Sequence, residues 1–238
     1  MGDLSIRGVA RKYRGLSGNF SVISDVMQLS RTEGNQSVRS WLESLARHEE
    51  GGPMYEECEY PWFNPETPTF FRKFSFTFQQ TWTHIVVRIK LINDASISDD
   101  VMNNLKTQWN KGIVDIWNNQ WGCGLPGEAT CRLTFEVQFV GENEHKTVSV
   151  VPGVVSFSTG EVVRANTGKW HTFMPGNVAA HEYGHYIGNT DHYREESVCL
   201  ERRILYPGSV MDNNTANVPA GLVSRLATNI GSEIVPIK

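Results

Sequence analysis

The chain of 238 residues is 39% hydrophobic, 20% charged and 11% aromatic, with a formal net charge of −4. A chain of that length can bury roughly 70–75% of its unfolded surface in one large domain or two small ones, and its ordinary hydrophobic fraction excludes wholesale disorder and fibrous classes. There is no run of about 18 apolar residues, so no membrane-spanning helix is expected, and the mild acidity argues against a general nucleic-acid binder, which needs a basic surface.

The first residues, Met1-Gly2-Asp3-Leu4-Ser5-Ile6, lack the apolar core of a secretory signal. A signal has been removed, export uses another route, or the protein stays inside. Residues 1–75 read as a loosely organised extension that opens with the basic positions Arg7, Arg11, Lys12 and Arg14. Within it, Val38, Trp41, Leu42 and Leu45 fall on one helical face, with Ser37 as N-cap and Gly51-Gly52 as the stop. The acidic, aromatic and proline-bearing stretch from Glu56 to Phe63 reads as an irregular connector.

From residue 76 the patterns sharpen. Ile85, Val87, Ile89 and Leu91 alternate with polar residues, the period of a half-buried strand. Residues 98–121 are expected to form a long amphipathic helix: Ser98 caps it, Asp99 and Asp100 suit its positive end, and Val101, Leu105, Trp109, Ile113, Ile116 and Trp117 make the stripe. A second alternation places Leu133, Phe135, Val137 and Phe139 inward. Short strands are expected at 147–157 and 161–165. A last helix is expected at 219–230, with Pro219 in its first turn and Leu222, Leu226 and Ile230 on one face. This order reads as α+β, with a twisted mixed or antiparallel sheet.

Four cysteines, Cys58, Cys123, Cys131 and Cys199, contain no C-x-x-C pair, which argues against a cysteine-built zinc finger. Cys123 and Cys131 flank a turn-rich stretch. A disulfide between them would close a short loop and contribute roughly 2–3 kcal/mol; four reduced, buried thiols are the alternative.

The chemistry lies in Val178-Ala179-Ala180-His181-Glu182-Tyr183-Gly184-His185-Tyr186-Ile187-Gly188-Asn189-Thr190-Asp191-His192. His181 and His185, four apart, lie one turn apart on one helical face and can grip a single ion. Glu182 projects about 100° around from His181, beside the ion rather than onto it, where a carboxylate can act as general base on a water. Gly188 permits a left-handed residue that ends the helix and turns the chain back.

This stretch resembles the signature H-E-x-x-H-x-x-G-x-x-H/D of the metzincin clan of zinc metalloproteases, in the aspartate branch typified by snapalysin-like bacterial proteases. The resemblance covers about residues 76–238, and Ser209-Val210-Met211-Asp212 is similar to the clan's methionine turn, with Met211 beneath the metal. It implies a twisted mixed sheet with a long helix, an active-site helix, a Met-turn and a C-terminal helix. It also implies Zn²⁺ held by His181, His185 and Asp191, with His192 as the alternative third ligand, and Glu182 as catalytic base. Some members place a tyrosine two positions after the Met-turn methionine; here that residue is Asn213, so oxyanion support falls to Tyr193, Tyr206 or His171. The implied activity is zinc-dependent endopeptidase action on a protein or peptide. The alternatives are an inactive zinc-stabilised binding module and a zinc amidase acting on a cell-wall amide. The chain is also similar to metzincin-like domains of bacterial secreted or contractile-injection toxins. That similarity implies action outside the producing cell and an inhibitor or immunity partner. Residues 1–75 would then be a prodomain, delivery or support segment, and 76–238 the catalytic domain.

Overall fold

The computed structural model describes residues 47–58, 69–81, 83–118, 120–124, 131–153, 165–192 and 206–237. They form a mixed α+β fold. The strands β1 (Arg47–Cys58), β2 (Thr69–Thr81) and β3 (His84–Asn93) lead into helix α1 (Asp99–Trp117). After it come β4 (Trp121–Gly124), β5 (Cys131–Arg132), β6 (Thr134–Phe139), β7 (Lys146–Val151) and β8 (Lys169–His171). Helix α2 (Gly176–Tyr186) and the single-turn α3 (Val210–Asn213) follow; a 3₁₀ turn (Ala220–Leu222), α4 (Ser224–Thr228) and β9 (Glu233–Pro236) complete the order.

The main sheet runs β1-β2-β3-β7-β8, with β6 also paired to β3. The β1–β2 and β2–β3 pairings are antiparallel, whereas β3–β6, β3–β7 and β7–β8 are parallel. At Ile85 the central strand pairs simultaneously with Gln80 of β2 and Phe135 of β6, so these two neighbours occupy opposite edges of β3. Ile85, Val87 and Ile89 are buried on one face of β3, while the other face carries half-exposed His84, Arg88 and Lys90 with Val86 buried among them, the half-buried strand that the alternation indicates. A second sheet, β5-β4-β9, is antiparallel.

Several sequence expectations need correction. Gly51-Gly52 does not end a helix but sits in β1 opposite Thr77 and Phe76, and Glu56 to Cys58 continue the same strand. Residues 37–46, where that helix was expected, lie outside the described residues. Residues 75 and 76, on either side of the division expected from the sequence, both lie in β2, which by itself leaves that division untested. The long helix stops at Trp117 because Asn118 leaves helical geometry, with ψ at 159°. Its side-chain amide clamps Phe135 of β6, accepting from the Phe135 N–H at 2.6 Å and donating to its carbonyl at 3.1 Å. The buried stripe begins with Met102, while Val101 is 43% exposed; one residue is a 100° rotation on a helix, and Met102 is in register with Leu105, Trp109, Ile113 and Ile116. The single helix expected at 219–230 is instead broken at Val223, whose φ is −122°, just after Gly221, a poor helix former. Cys123 and Cys131 are direct cross-strand partners but carry no disulfide. Residues 154–164 are outside the described residues, and β4, β8 and β9 are short strands that the sequence did not announce.

Helices α1 and α2 pack on each other and both contribute to the core. Trp109 and Trp117 of α1 are fully buried, and their indole N–H groups donate to the Met174 and Ala180 carbonyls at 2.9 Å each. Buried indoles that find such partners carry large apolar area without an orphaned donor, and here the acceptors belong to α2 or the segment entering it. Among the described residues no helix is long and apolar enough to cross a membrane.

Candidate metal centre

Beyond its first turn helix α2 is buried on every side: Ala179 to Tyr186 are all buried. Trp117, Phe135 and Tyr183 form a cluster of tilted and edge-on rings 5.6–6.5 Å apart along one face. On another face His181 and His185 stand with ring centroids 4.9 Å apart at 86°. Such a buried histidine pair needs partners for all its ring nitrogens.

The helix ends as the glycine predicted. Gly188 has φ +86°; its N–H donates to the His185 carbonyl and the Asn189 N–H to the Gly184 carbonyl, both at 2.9 Å. These two bonds make a Schellman cap. The Asn189 carbonyl then points back and accepts from His185 Nδ1 at 2.8 Å. Two residues later the reversed chain delivers Asp191, whose Oδ1 lies 3.0 Å from both His181 Nε2 and His185 Nε2. All three side chains are buried, and their ligand atoms lie within 4.8 Å of one another, so the group could hold a metal ion.

The proton inventory of this group is informative. His181 Nδ1 meets the Val210 carbonyl at 2.8 Å. A carbonyl can only accept, so both Nδ1 atoms carry the proton, and the two Nε2 atoms are left facing one carboxylate oxygen. With neutral imidazoles, three lone-pair donors converge on one point, an arrangement satisfied by a cation between them. Without one, a ring must take a second proton. Burial opposes charge on His185, but the Asp191 carboxylate, then Glu182 and the Asn189 carbonyl, more than offset it and hold this imidazole above its ordinary pKa.

Glu182 is buried beside the group and contributes to the electrostatics of both His185 and Tyr186. Burial, reinforced by Glu182, holds the Tyr186 phenol well above its ordinary value, while its hydroxyl donates to the Thr167 carbonyl at 3.0 Å. Met211 is fully buried. Its sulfur packs against Gly184 so closely that a Cβ there would overlap it, with Trp117 Cζ2 a further 3.0 Å neighbour. The backbone of the same turn supplies the Val210 carbonyl to His181, and the Met211 carbonyl accepts from the His192 N–H at 2.8 Å. One short turn therefore touches the helix, the first histidine and the residue after Asp191.

The remaining sequence candidates separate clearly. His192 is not part of the group: its ring packs on Tyr206, centroids 5.1 Å apart, and so Asp191 supplies the third donor. Tyr206 has its hydroxyl against Gly221. His171, at the end of β8, is half-buried, with burial lowering its pKa, and it is outside the group. Tyr193 lies outside the described residues. Sequence reasoning missed Gly184, although the helix it occupies needed a gap for Met211, and missed the Val210 carbonyl, which no residue type announces. It also missed Arg225, whose side chain reaches the C-cap of α2 at Ile187 and Gly188 from α4.

No family model matches the chain, and no curated protein or solved structure matches it either.

Proposed function

We propose that the chain is a zinc-dependent endopeptidase of metzincin-like architecture. The observation that carries this reading is the convergence of His181 Nε2, His185 Nε2 and Asp191 Oδ1 on one buried point, with a carboxylate beside it. Two imidazoles and a carboxylate match the donor preferences of zinc in catalytic sites, where three protein ligands leave a position open. When bound, zinc would polarise a scissile carbonyl and make a water more acidic. The carbonyl partners at Val210 and Asn189 fix both histidines in the tautomer that presents Nε2. Glu182 takes the proton from water as the oxygen joins the carbonyl carbon. It then delivers that proton to the leaving nitrogen as the C–N bond breaks. Support for the architecture comes from the succession of parallel strands, buried active-site helix, left-handed glycine, aspartate ligand and buried methionine turn.

The test is hydrolysis of a denatured protein by the zinc-loaded full chain and by Glu182→Gln. Cleavage by the wild type, with loss of at least ~100-fold in the variant at unchanged metal content, is the expected result. Equal cleavage by both would refute the role of Glu182. Zinc binding without cleavage by the wild type would favour a zinc-stabilised binding module, and cleavage only of cell-wall peptides an amidase.

A further inference from the structure

We propose that Arg225 is the positioning residue of the metal centre, holding the turn that brings Asp191 to the two histidines; this rests on the reading that the group binds a metal. Arg225 belongs to α4, remote in sequence from the motif. Its Nη2 donates to the Ile187 carbonyl, the C-cap of α2. A Cβ placed on Gly188 would sit 2.5 and 2.7 Å from its two terminal nitrogens. The guanidinium thus lies directly against the left-handed glycine, where any Cβ at position 188 would displace it.

The head is itself fixed from several sides. Its Nε pairs with Glu50 Oε1 at 2.9 Å. Its carbon stands 4.9 Å from the Phe76 ring centroid and 5.7 Å from that of Phe78. The other Glu50 oxygen accepts from Asn229 at 2.6 Å; Asn229 also donates to Gln80, and Gln80 donates to the Leu226 carbonyl at 2.7 Å. Burial lowers the Arg225 pKa against the opposing pull of Glu50. A partly desolvated cation is costly unless paired, and exposed ion pairs stabilise little. An apolar side chain of similar length could pack on Phe76 and Phe78. What only the planar, multidentate head can do is pack there, pair with Glu50 and bond the Ile187 carbonyl together.

Two of the three metal donors depend on that turn. Asp191 follows it directly, and the carbonyl that fixes the His185 tautomer is Asn189, inside it. A loosened turn would therefore move one ligand and release the orientation of another. The strands β1 and β2, through Glu50, Phe76, Phe78 and Gln80, become supports of the metal centre rather than a detachable front segment.

The experiment uses the full chain and reads Zn²⁺ affinity by competition with a chromogenic chelator, together with the visible spectrum of the Co²⁺ form. Circular dichroism and melting of the metal-free proteins establish folding. Arg225→Ala is expected to weaken Zn²⁺ binding by ~10–100-fold, the range for residues that orient ligands, and to alter the Co²⁺ bands. Arg225→Lys, which keeps charge but loses the fork, should fall between it and the wild type. Glu50→Gln should weaken binding less than Arg225→Ala. A folded Arg225→Ala with affinity within about threefold of wild type and the same Co²⁺ spectrum would overturn the proposal. If Arg225→Ala does not fold, Arg225→Lys decides in the same way: weaker binding with altered bands supports it, and wild-type behaviour overturns it. A wild-type chain that binds no metal would overturn the metal reading along with this one; metal binding that is indifferent to Arg225 would overturn this one alone.

Discussion

Gly184→Ala is a sensitive probe of the floor beneath the candidate centre. In an exposed helix interior the change would gain about 1 kcal/mol from helix propensity. Here the new Cβ would overlap the Met211 sulfur and stand 3.0 Å from Trp117 Cζ2. Overpacking of that kind costs roughly 1–3 kcal/mol, so the variant should be destabilised by about 0–2 kcal/mol despite its better propensity. Met211→Ala alone should cost about 2–5 kcal/mol, since the side chain is fully buried. In the Met211→Ala background, however, the sulfur is gone and the alanine at 184 meets only the Trp117 ring edge. Much of the propensity gain should return, giving a coupling of about 1–3 kcal/mol between the two positions. Urea unfolding of the four metal-free proteins in chelator measures the cycle. Effects that add to within about 0.5 kcal/mol would show that Met211 does not press on Gly184, and would refute the packing described for this turn.

Other consequences follow from the same geometry. Gly188→Ala puts a Cβ at φ +86° and against Arg225, so it should lose at least about 1–2 kcal/mol in urea unfolding; wild-type stability would refute the capping role. Removal of metal should lower the melting temperature: at free zinc about 1,000 times the dissociation constant the stabilisation is ~4 kcal/mol, or roughly 8–16 °C for a domain of this size. An unchanged melting curve with chelator would mean that no metal stabilises the fold. Trp117→Phe removes the donor to the Ala180 carbonyl and should cost about 1–3 kcal/mol in chemical unfolding; a cost below about 0.5 kcal/mol would show that water replaces that bond.

The legible parts of the sequence were those with a local period or a local exception. The alternations at Ile85–Ile89 and Leu133–Val137, and the stripe from Leu105 to Trp117, declare themselves within a dozen residues, and α1 and its neighbouring strands lie where they point. The candidate metal-binding group was legible because its three side chains lie in an eleven-residue stretch whose geometry follows from helix pitch and one left-handed glycine. What was hidden depends on distant partners. Strand β1 carries Glu49, Glu50, Gly51, Gly52 and Pro53, poor strand formers, and exists through its long register with β2. Strand β2 was missed with it, because its first half falls in the stretch that reads as a loosely organised extension. Strand β8 has three residues, too few for any period. Gly184 and Arg225 act across the fold, on Met211 and on the Ile187 carbonyl, and neither contact leaves a trace in local spacing.

The most direct measurement is metal content together with N-terminal sequencing of cleavage products for three purified full-length proteins: wild type, Glu182→Gln and the double variant His181→Ala/His185→Ala. Wild type and Glu182→Gln should each carry about one zinc per chain and the double variant essentially none, with new peptide termini generated by the wild type alone. A wild type free of zinc, a double variant that keeps it, or a Glu182→Gln protein that cleaves at the wild-type rate would contradict a zinc peptidase built on this motif.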